Sequence, residues 1–195
     1  MGIKLVVVGA AAAGKTSIIN RFIHRKFEQN YRATIGADFM SKTIDLGSRN
    51  SRISLQMWDL GGQEKYSNIA PLYFRGTHAV LIVFDVKDPS SIESAEFWYE
   101  KAQTELKKYD YMADIMFVAN KCDSEERCNY SCLEDNCIAN VVGFREVSAK
   151  TGTNVSDVII EMLEYTFDRR SKTKEIASGS VNLQDMEIDD SCCGK

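Results

Sequence analysis

The fold this sequence predicts is a mainly parallel α/β sheet of six strands with helices on both faces. Three observations predict it. β-Branched, apolar runs of the kind buried on both faces of a parallel sheet recur at residues 3–8, 79–84 and 115–119. Stretches with helical apolar spacing separate them. Between the first strand and the first helix stands Gly9-Ala10-Ala11-Ala12-Ala13-Gly14-Lys15-Thr16, a loop bounded by glycines. Alternation of buried strands with helices selects the doubly wound class, whose ligands bind beyond the carboxyl ends of the strands.

The elements follow in order. Residues 3–8 form the first strand, and the helix after Thr16 carries Ile18, Ile19, Phe22 and Ile23 at helical spacing. Residues 27–36 lose periodicity and read as a loop. Residues 37–46 and 52–60 read as two strands joined by the turn residues Gly47-Ser48-Arg49-Asn50, a hairpin that makes one edge strand antiparallel. A glycine-rich stretch, Asp59-Leu60-Gly61-Gly62-Gln63-Glu64, is followed by a short helix over 65–73. A buried strand covers 79–84. A helix with Ser90 or Ser91 as cap runs to about residue 108, and the strand 115–119 follows. A helix over 131–140, a strand over 144–147 and a helix over 155–169 complete one domain, residues 1–170 of the 195. No internal repeat is visible.

The first loop reads G-x-x-x-x-G-K-[ST] between a strand and a helix, the context the phosphate-loop motif requires. Backbone N–H groups of Ala11, Ala12, Ala13, Gly14, Lys15, Thr16 and Ser17 would then face phosphate oxygens. Lys15 would neutralise the outer phosphates and serve catalysis, and the Thr16 hydroxyl would ligate Mg2+. Asp59 ends a strand. Alone it could cap a loop; beside a phosphate loop it is placed to hold Mg2+. Gly62 offers an unhindered N–H to a γ-phosphate, and Gln63 can orient a water for in-line attack. Asn120-Lys121-Cys122-Asp123 follows a strand. There the Asp123 carboxylate can accept from N1–H and the exocyclic amine of guanine, donors that adenine does not present together. Discrimination rests on the cost of leaving buried polar groups unpaired. The Lys121 stem can cover the base. Ser148-Ala149-Lys150 follows the next strand, where the Ala149 N–H can reach guanine O6.

With these motifs in hand, the chain resembles the small GTPases, and within them the Rab family, over residues 3–170. The blocks Thr34-Ile35-Gly36-Ala37-Asp38-Phe39 and Tyr73-Phe74-Arg75-Gly76-Thr77-His78-Ala79 carry the Rab part of the likeness. The resemblance implies a phosphate-loop G domain that binds GTP and GDP with Mg2+ and hydrolyses GTP as a switch in membrane traffic. It implies that Thr34 is a Mg2+ ligand that senses γ-phosphate, that Phe27 packs at the guanine edge and that Tyr31 covers the phosphates. Phe39, Trp58 and Tyr73 match the aromatic trio through which the family meets effectors; from the residues alone they read equally as core. Partners implied are an exchange factor, a GTPase-activating protein, a GDP-dissociation inhibitor, a prenylation escort and effectors. Leu60-Gly61 departs from the family's Thr-Ala and is similar to the Arf family, but Val6 stands where a myristoylation signal needs Ser or Thr. Ala11 and Ala12 occupy positions often held by Gly or Ser. No arginine finger is evident in these motifs, so intrinsic hydrolysis is expected to be slow and to need a partner. The rivals are a nucleotide kinase, which shares the phosphate loop, and a non-hydrolysing scaffold. Asn120–Asp123 and Gln63 argue against the first, and the retained Lys15, Thr16, Thr34 and Asp59 against the second.

From residue 171 the chain turns polar and reads as a disordered tail ending Ser191-Cys192-Cys193-Gly194-Lys195. Paired terminal cysteines resemble the Rab double-prenylation ending, which makes Cys192 and Cys193 the expected lipid sites. Residues 171–195 hold three lysines against five carboxylates, a net of -2, so no polybasic patch assists them. The whole chain carries -4, which argues against nucleic acid as a partner. No apolar run is long enough to span a bilayer, and the first strand begins where a signal peptide would stand. The expected location is the cytoplasmic face of an endomembrane, lipid-anchored, with a soluble pool. Cys122, Cys128, Cys132 and Cys137 lack C-x-x-C spacing and read as small, buried, reduced thiols rather than a metal site. The sequons at Asn129 and Asn154 read as chance matches.

Overall fold

The structure, a computed structural model, describes residues 1–29, 33–61, 70–108, 112–137 and 139–177. Six strands form one sheet: β1 (Gly2–Gly9), β2 (Ala37–Leu46), β3 (Ser51–Leu60), β4 (Ala79–Asp85), β5 (Asp114–Asn120) and β6 (Val141–Val147). Their spatial order is β2-β3-β1-β4-β5-β6. All neighbouring pairs are parallel except β2 with β3, which the hairpin makes antiparallel at one edge. The helices are α1 (Lys15–His24), α2 (Ala70–Phe74), α3 (Pro89–Lys108), α4 (Ser131–Asn136) and α5 (Val155–Ala177). A 3-10 turn at Gly47–Arg49 closes the hairpin.

Strand periodicity divides the core into two layers. Ile3, Leu5 and Val7 of β1 face one side and join Ile18, Ile19 and Phe22 of α1 with Ile159, Met162 and Leu163 of α5. Val6 and Val8 face the other side and join Phe74 of α2, Trp98 and Ala102 of α3, and Leu133 of α4. Both faces of β4 and β5 are buried at every position, which is why those runs carry no polar alternation. The chain crosses to one face after β1 and to the other after β4. The two neighbouring strands therefore open a crevice at their carboxyl ends.

Several boundaries differ from the sequence reading. The start of α3 is capped by Asp88, not by Ser90 or Ser91. The Asp88 Oδ1 accepts from the Ser90 N–H at 3.0 Å, and the Ser91 hydroxyl is buried, accepting instead from the Asp85 N–H at 2.9 Å. Helix α4 stops at Asn136, and β6 begins earlier than expected, at Val141. Of the short helix expected over 65–73, residues 65–69 lie outside the described residues, and α2 begins at Ala70. Helix α5 continues to Ala177, seven residues beyond the expected end of the domain at 170. Arg169 and Arg170 help explain this, because they anchor its distal end to the base of the sheet. Arg169 pairs with Asp114 at 2.8 Å, and Arg170 donates to the Gly2 carbonyl. The four described cysteines are free thiols, but only Cys137 is buried; Cys132 is exposed, and Cys122 and Cys128 are half-buried. Exposure follows from the helix face: α4 turns Leu133 inward and Cys132 outward. The Asn129 and Asn154 side chains both serve local structure, the first capping Ser131 N–H and the second donating to the Glu146 carbonyl.

Candidate functional site

A cavity of about 520 Å3 lies at the carboxyl ends of β1, β4 and β5. The phosphate loop forms one end of it. Gly9 and Gly14 both take φ values that L side chains rarely adopt, +139° and +95°. A Cβ on Gly9 would stand 1.9 Å from the Val83 carbonyl oxygen, so the first glycine lets the loop pass against β4. A Cβ on Gly14 would stand 2.2 Å from Asn120 Nδ2, so the second glycine leaves room for the Asn120 amide. Ala12 also holds a left-handed φ of 59°, which a side chain as small as methyl tolerates at modest cost. Ala11, Ala12, Gly14, Lys15, Thr16 and Ser17 line the cavity. Ala13 is buried behind them.

Lys15 is 5% exposed, and its ammonium donates to the Gly9 and Ala10 carbonyls at 3.1 and 2.7 Å. Burial lowers its pKa to about 8, against the opposing pull of Asp59. Asp59 is equally buried, and desolvation pushes its carboxyl upward despite bonds from Thr16 and Thr34. Both shifts have burial as the leading cause, and each of the two charges partly opposes the shift of the other.

Three oxygens converge there. The Thr16 hydroxyl donates to Asp59 Oδ2 at 2.5 Å and lies 3.1 Å from the Thr34 hydroxyl, which reaches the same oxygen at 3.4 Å. The other Asp59 oxygen, Oδ1, is buried with no hydrogen-bond partner. Hard oxygen donors with one orphaned carboxylate oxygen fit a small divalent cation such as Mg2+. Thr16, Thr34 and Asp59 come from α1, from the loop before β2 and from β3, and only the fold brings them together.

The other end of the cavity is built from the ends of β5 and β6. Asn120 is 2% exposed and spans the two halves of the site. Its Nδ2 donates to the Ala13 carbonyl at 2.7 Å, and its Oδ1 accepts the Ala149 N–H at 3.1 Å. Asp123 lines the cavity and accepts from the buried Ser148 hydroxyl at 2.7 Å, with Lys150 at 3.6 Å. The Ser148 bond is the leading cause that holds this carboxyl below its ordinary range, so it is an ionised acceptor. Lys121 sits at a left-handed φ of 68°, which returns its ammonium to Asp85 at the end of β4, 2.5 Å away. Phe27, Thr34, Asn120, Lys121, Asp123, Ala149 and Lys150 all line the same cavity. Tyr31, Gly62, Gln63, Cys192 and Cys193 lie outside the described residues.

Phe39, Trp58 and Tyr73 form a connected ring cluster, with centroids 4.9 and 5.5 Å apart. Phe39 is directly opposite Trp58 across the β2–β3 ladder. Phe39 is 46% exposed and the other two are half-buried, so the trio is a surface cluster rooted in the core. Asp85, Arg21, Asn20, Lys87 and Ser124 belong to the site or its supports, and the sequence reading did not find them. They fall outside any contiguous motif. The one usable signal was Asp85 at the carboxyl end of a buried strand, the same signal that singled out Asp59.

Fold and cavity together define a phosphate-loop nucleotide-binding domain of the doubly wound α/β class. The sequence profile of the Ras family matches residues 4–168. Rab-32D of Dictyostelium discoideum, a Ras-related protein, is 36% identical over 86% of this chain and 75% of its own. The GTP-binding protein YPT1 of Saccharomyces cerevisiae is 30% identical over 97% of this chain and 96% of its own. The Ras-related protein SEC4 of Candida albicans is 37% identical over 83% and 76%. The chain belongs to the Rab family of the Ras-type small GTPases. It is a Rab-like GTPase of vesicle traffic, and GTPases of the Ras family in general bind GTP and GDP with Mg2+.

Proposed function

We propose that the cavity binds GTP and GDP with the phosphates on residues 11–17 and the guanine between Asp123, Ala149, Lys121 and Phe27. The observation that carries this reading is the Asn120 side chain. From the end of β5, just before Asp123, it ties the phosphate loop to the loop after β6 that offers Ala149, so both ends of one nucleotide are held by one rigid unit. Asp123 is ionised and faces the cavity, ready to accept the two N–H groups of guanine. Thr16, Thr34 and Asp59 would hold Mg2+, which neutralises charge on the β- and γ-phosphates when bound. Tyr31 would cover the phosphates and Gly62 would donate to the γ-phosphate.

Lys15 stabilises charge that develops on the transferred phosphoryl oxygens. A charged ammonium in a buried loop acts there with little solvent screening. Gln63 orients the attacking water. The sequence motifs offer no arginine finger, so intrinsic turnover is expected to be slow, with an activating partner supplying an arginine worth about 10³–10⁵ in rate. Thr34 and residues 61–63 read the γ-phosphate, and effectors read them in turn through Phe39, Trp58 and Tyr73. An exchange factor, a GDP-dissociation inhibitor and a prenylation escort complete the cycle. Lipids on Cys192 and Cys193 hold the protein on the cytoplasmic face of an endomembrane.

Single-turnover hydrolysis tests the reading. The wild type should cleave GTP and not ATP, and Gln63→Leu should bind GTP while losing stimulated cleavage. Equal binding of ATP and GTP, or Gln63→Leu with unchanged stimulated turnover, defeats it.

A further inference from the structure

Arg21 lies on α1, outside the phosphate-loop motif, and is not among the described residues that line the cavity. Its guanidinium nevertheless connects three segments around the base end. The Nε donates to the Ala149 carbonyl at 2.8 Å and one Nη to the Lys150 carbonyl at 2.6 Å. The other Nη donates to the Arg25 carbonyl at 3.2 Å, at the left-handed cap that ends α1. The guanidinium carbon lies 5.8 Å from the centroid of the Phe27 ring. Its stem also runs beside Gly152, where an added Cβ would meet Cδ at 3.7 Å.

The planar fork has the right shape for this task. Two adjacent carbonyls, Ala149 and Lys150, are held by donors in fixed relative orientation. Holding those carbonyls orients the two peptide units that follow Ala149, while the Ala149 N–H, in the unit before it, donates to Asn120 Oδ1 on the inner side. The loop is therefore clamped from within by Asn120 and from without by Arg21. Ring contact with Phe27 sets the opposite edge of the base pocket by the same group.

We propose that Arg21 is a positioning residue for guanine: it holds the Ala149 backbone where its N–H, which donates to Asn120 Oδ1 in this structure, can also reach the base O6, and it braces Phe27 without touching the nucleotide. This rests on the guanine reading above. Arg21 thereby sets the lifetime of bound GDP.

Release of GDP and of 6-thio-GDP from Mg2+-loaded protein, chased with excess GTP, tests it. Sulfur at position 6 is a weaker acceptor, while the N1–H and 2-amino contacts to Asp123 are kept. Arg21→Ala should speed GDP release about tenfold, the worth of roughly one well-placed hydrogen bond. It should speed 6-thio-GDP release by clearly less, because that contact is already weak. Arg21→Lys, which keeps the charge and the stem but not the fork, should fall between wild type and Arg21→Ala and show the same inequality. This second variant carries the test if Arg21→Ala does not fold. Equal acceleration of both nucleotides shows a general loosening of the domain and overturns the proposal. So does a wild-type release rate in Arg21→Lys. A wild type that holds ADP as long as GDP overturns the guanine reading and this proposal with it. A wild type that prefers GDP, with variants that fail the inequality, overturns the proposal alone.

Discussion

Acidification should weaken this protein through one histidine at the end of the sheet remote from the nucleotide. His78 stands just before β4 and exchanges hydrogen bonds with Lys4 of β1. Its Nδ1 accepts the Lys4 backbone N–H at 2.9 Å, and the His78 backbone N–H donates to the Lys4 carbonyl at 3.0 Å. Accepting at Nδ1 requires an unprotonated nitrogen. Burial is the first cause that depresses its pKa from 6.5 to about 4, and the charges of Arg170, Arg169 and Lys4 add to it. In the unfolded chain the imidazole titrates near 6.5. Between the two values the unfolded state binds the extra proton, so stability is complete above about pH 6.5 and is lost as pH falls toward 4. At pH 5 the loss is about 2 kcal/mol by linkage, and partial solvent contact reduces it to about 1 kcal/mol. That corresponds to roughly 2–4 °C in Tm for a chain of this size.

The assay is urea unfolding of the GDP- and Mg2+-loaded protein at pH 7.5, 6.5, 5.5 and 5.0, with nucleotide held in constant excess. The reference is His78→Asn, whose carbonyl replaces the Nδ1 acceptor and does not titrate. Subtracting its profile removes every other group. The wild type should lose about 1 kcal/mol more than the variant between pH 7.5 and 5.0. Parallel profiles, or a wild type that gains on the variant at low pH, would refute the reasoning.

Gly14→Ala should lower GDP affinity by at least about tenfold, because the new Cβ displaces Asn120 Nδ2 from 2.2 Å and breaks its 2.7 Å bond to Ala13. Calorimetric titration with GDP reads this, and unchanged affinity would show that Asn120 does not couple the two loops. Asp85→Asn should speed GDP release severalfold by freeing Lys121 from its 2.5 Å partner, and release at the wild-type rate would remove Asp85 from the site. Under native conditions at pH 8, maleimide should label exposed Cys132 quickly. Buried Cys137, its thiol pushed up to about 11, should label only on unfolding. Peptide mass mapping distinguishes the two, and comparable rates would contradict the burial of Cys137.

Contiguous chemistry was legible in the chain itself. The phosphate loop, Asn120-Lys121-Cys122-Asp123 and Ser148-Ala149-Lys150 are local because each motif is a short run of neighbouring backbone groups and side chains, and residues of all three line one cavity. The alternation of apolar runs with helical spacing likewise named the fold, since buried parallel strands and amphipathic helices have different periods. Caps and ends were less legible. Asp88 takes the start of α3 because Ser91 is drawn into the core by the Asp85 N–H. The last turns of α5 persist because Arg169 and Arg170 reach the sheet. Tertiary structure alone decided the remaining points. The aromatic trio could have been core or surface until β2 paired with β3 and left Phe39 at an open edge. Asp85 meets Lys121 across 36 positions of sequence, and Arg21 meets Ala149 across 128. Such contacts leave no pattern in the sequence, because hydrogen bonds and ion pairs fix a distance in space and impose no spacing along the chain.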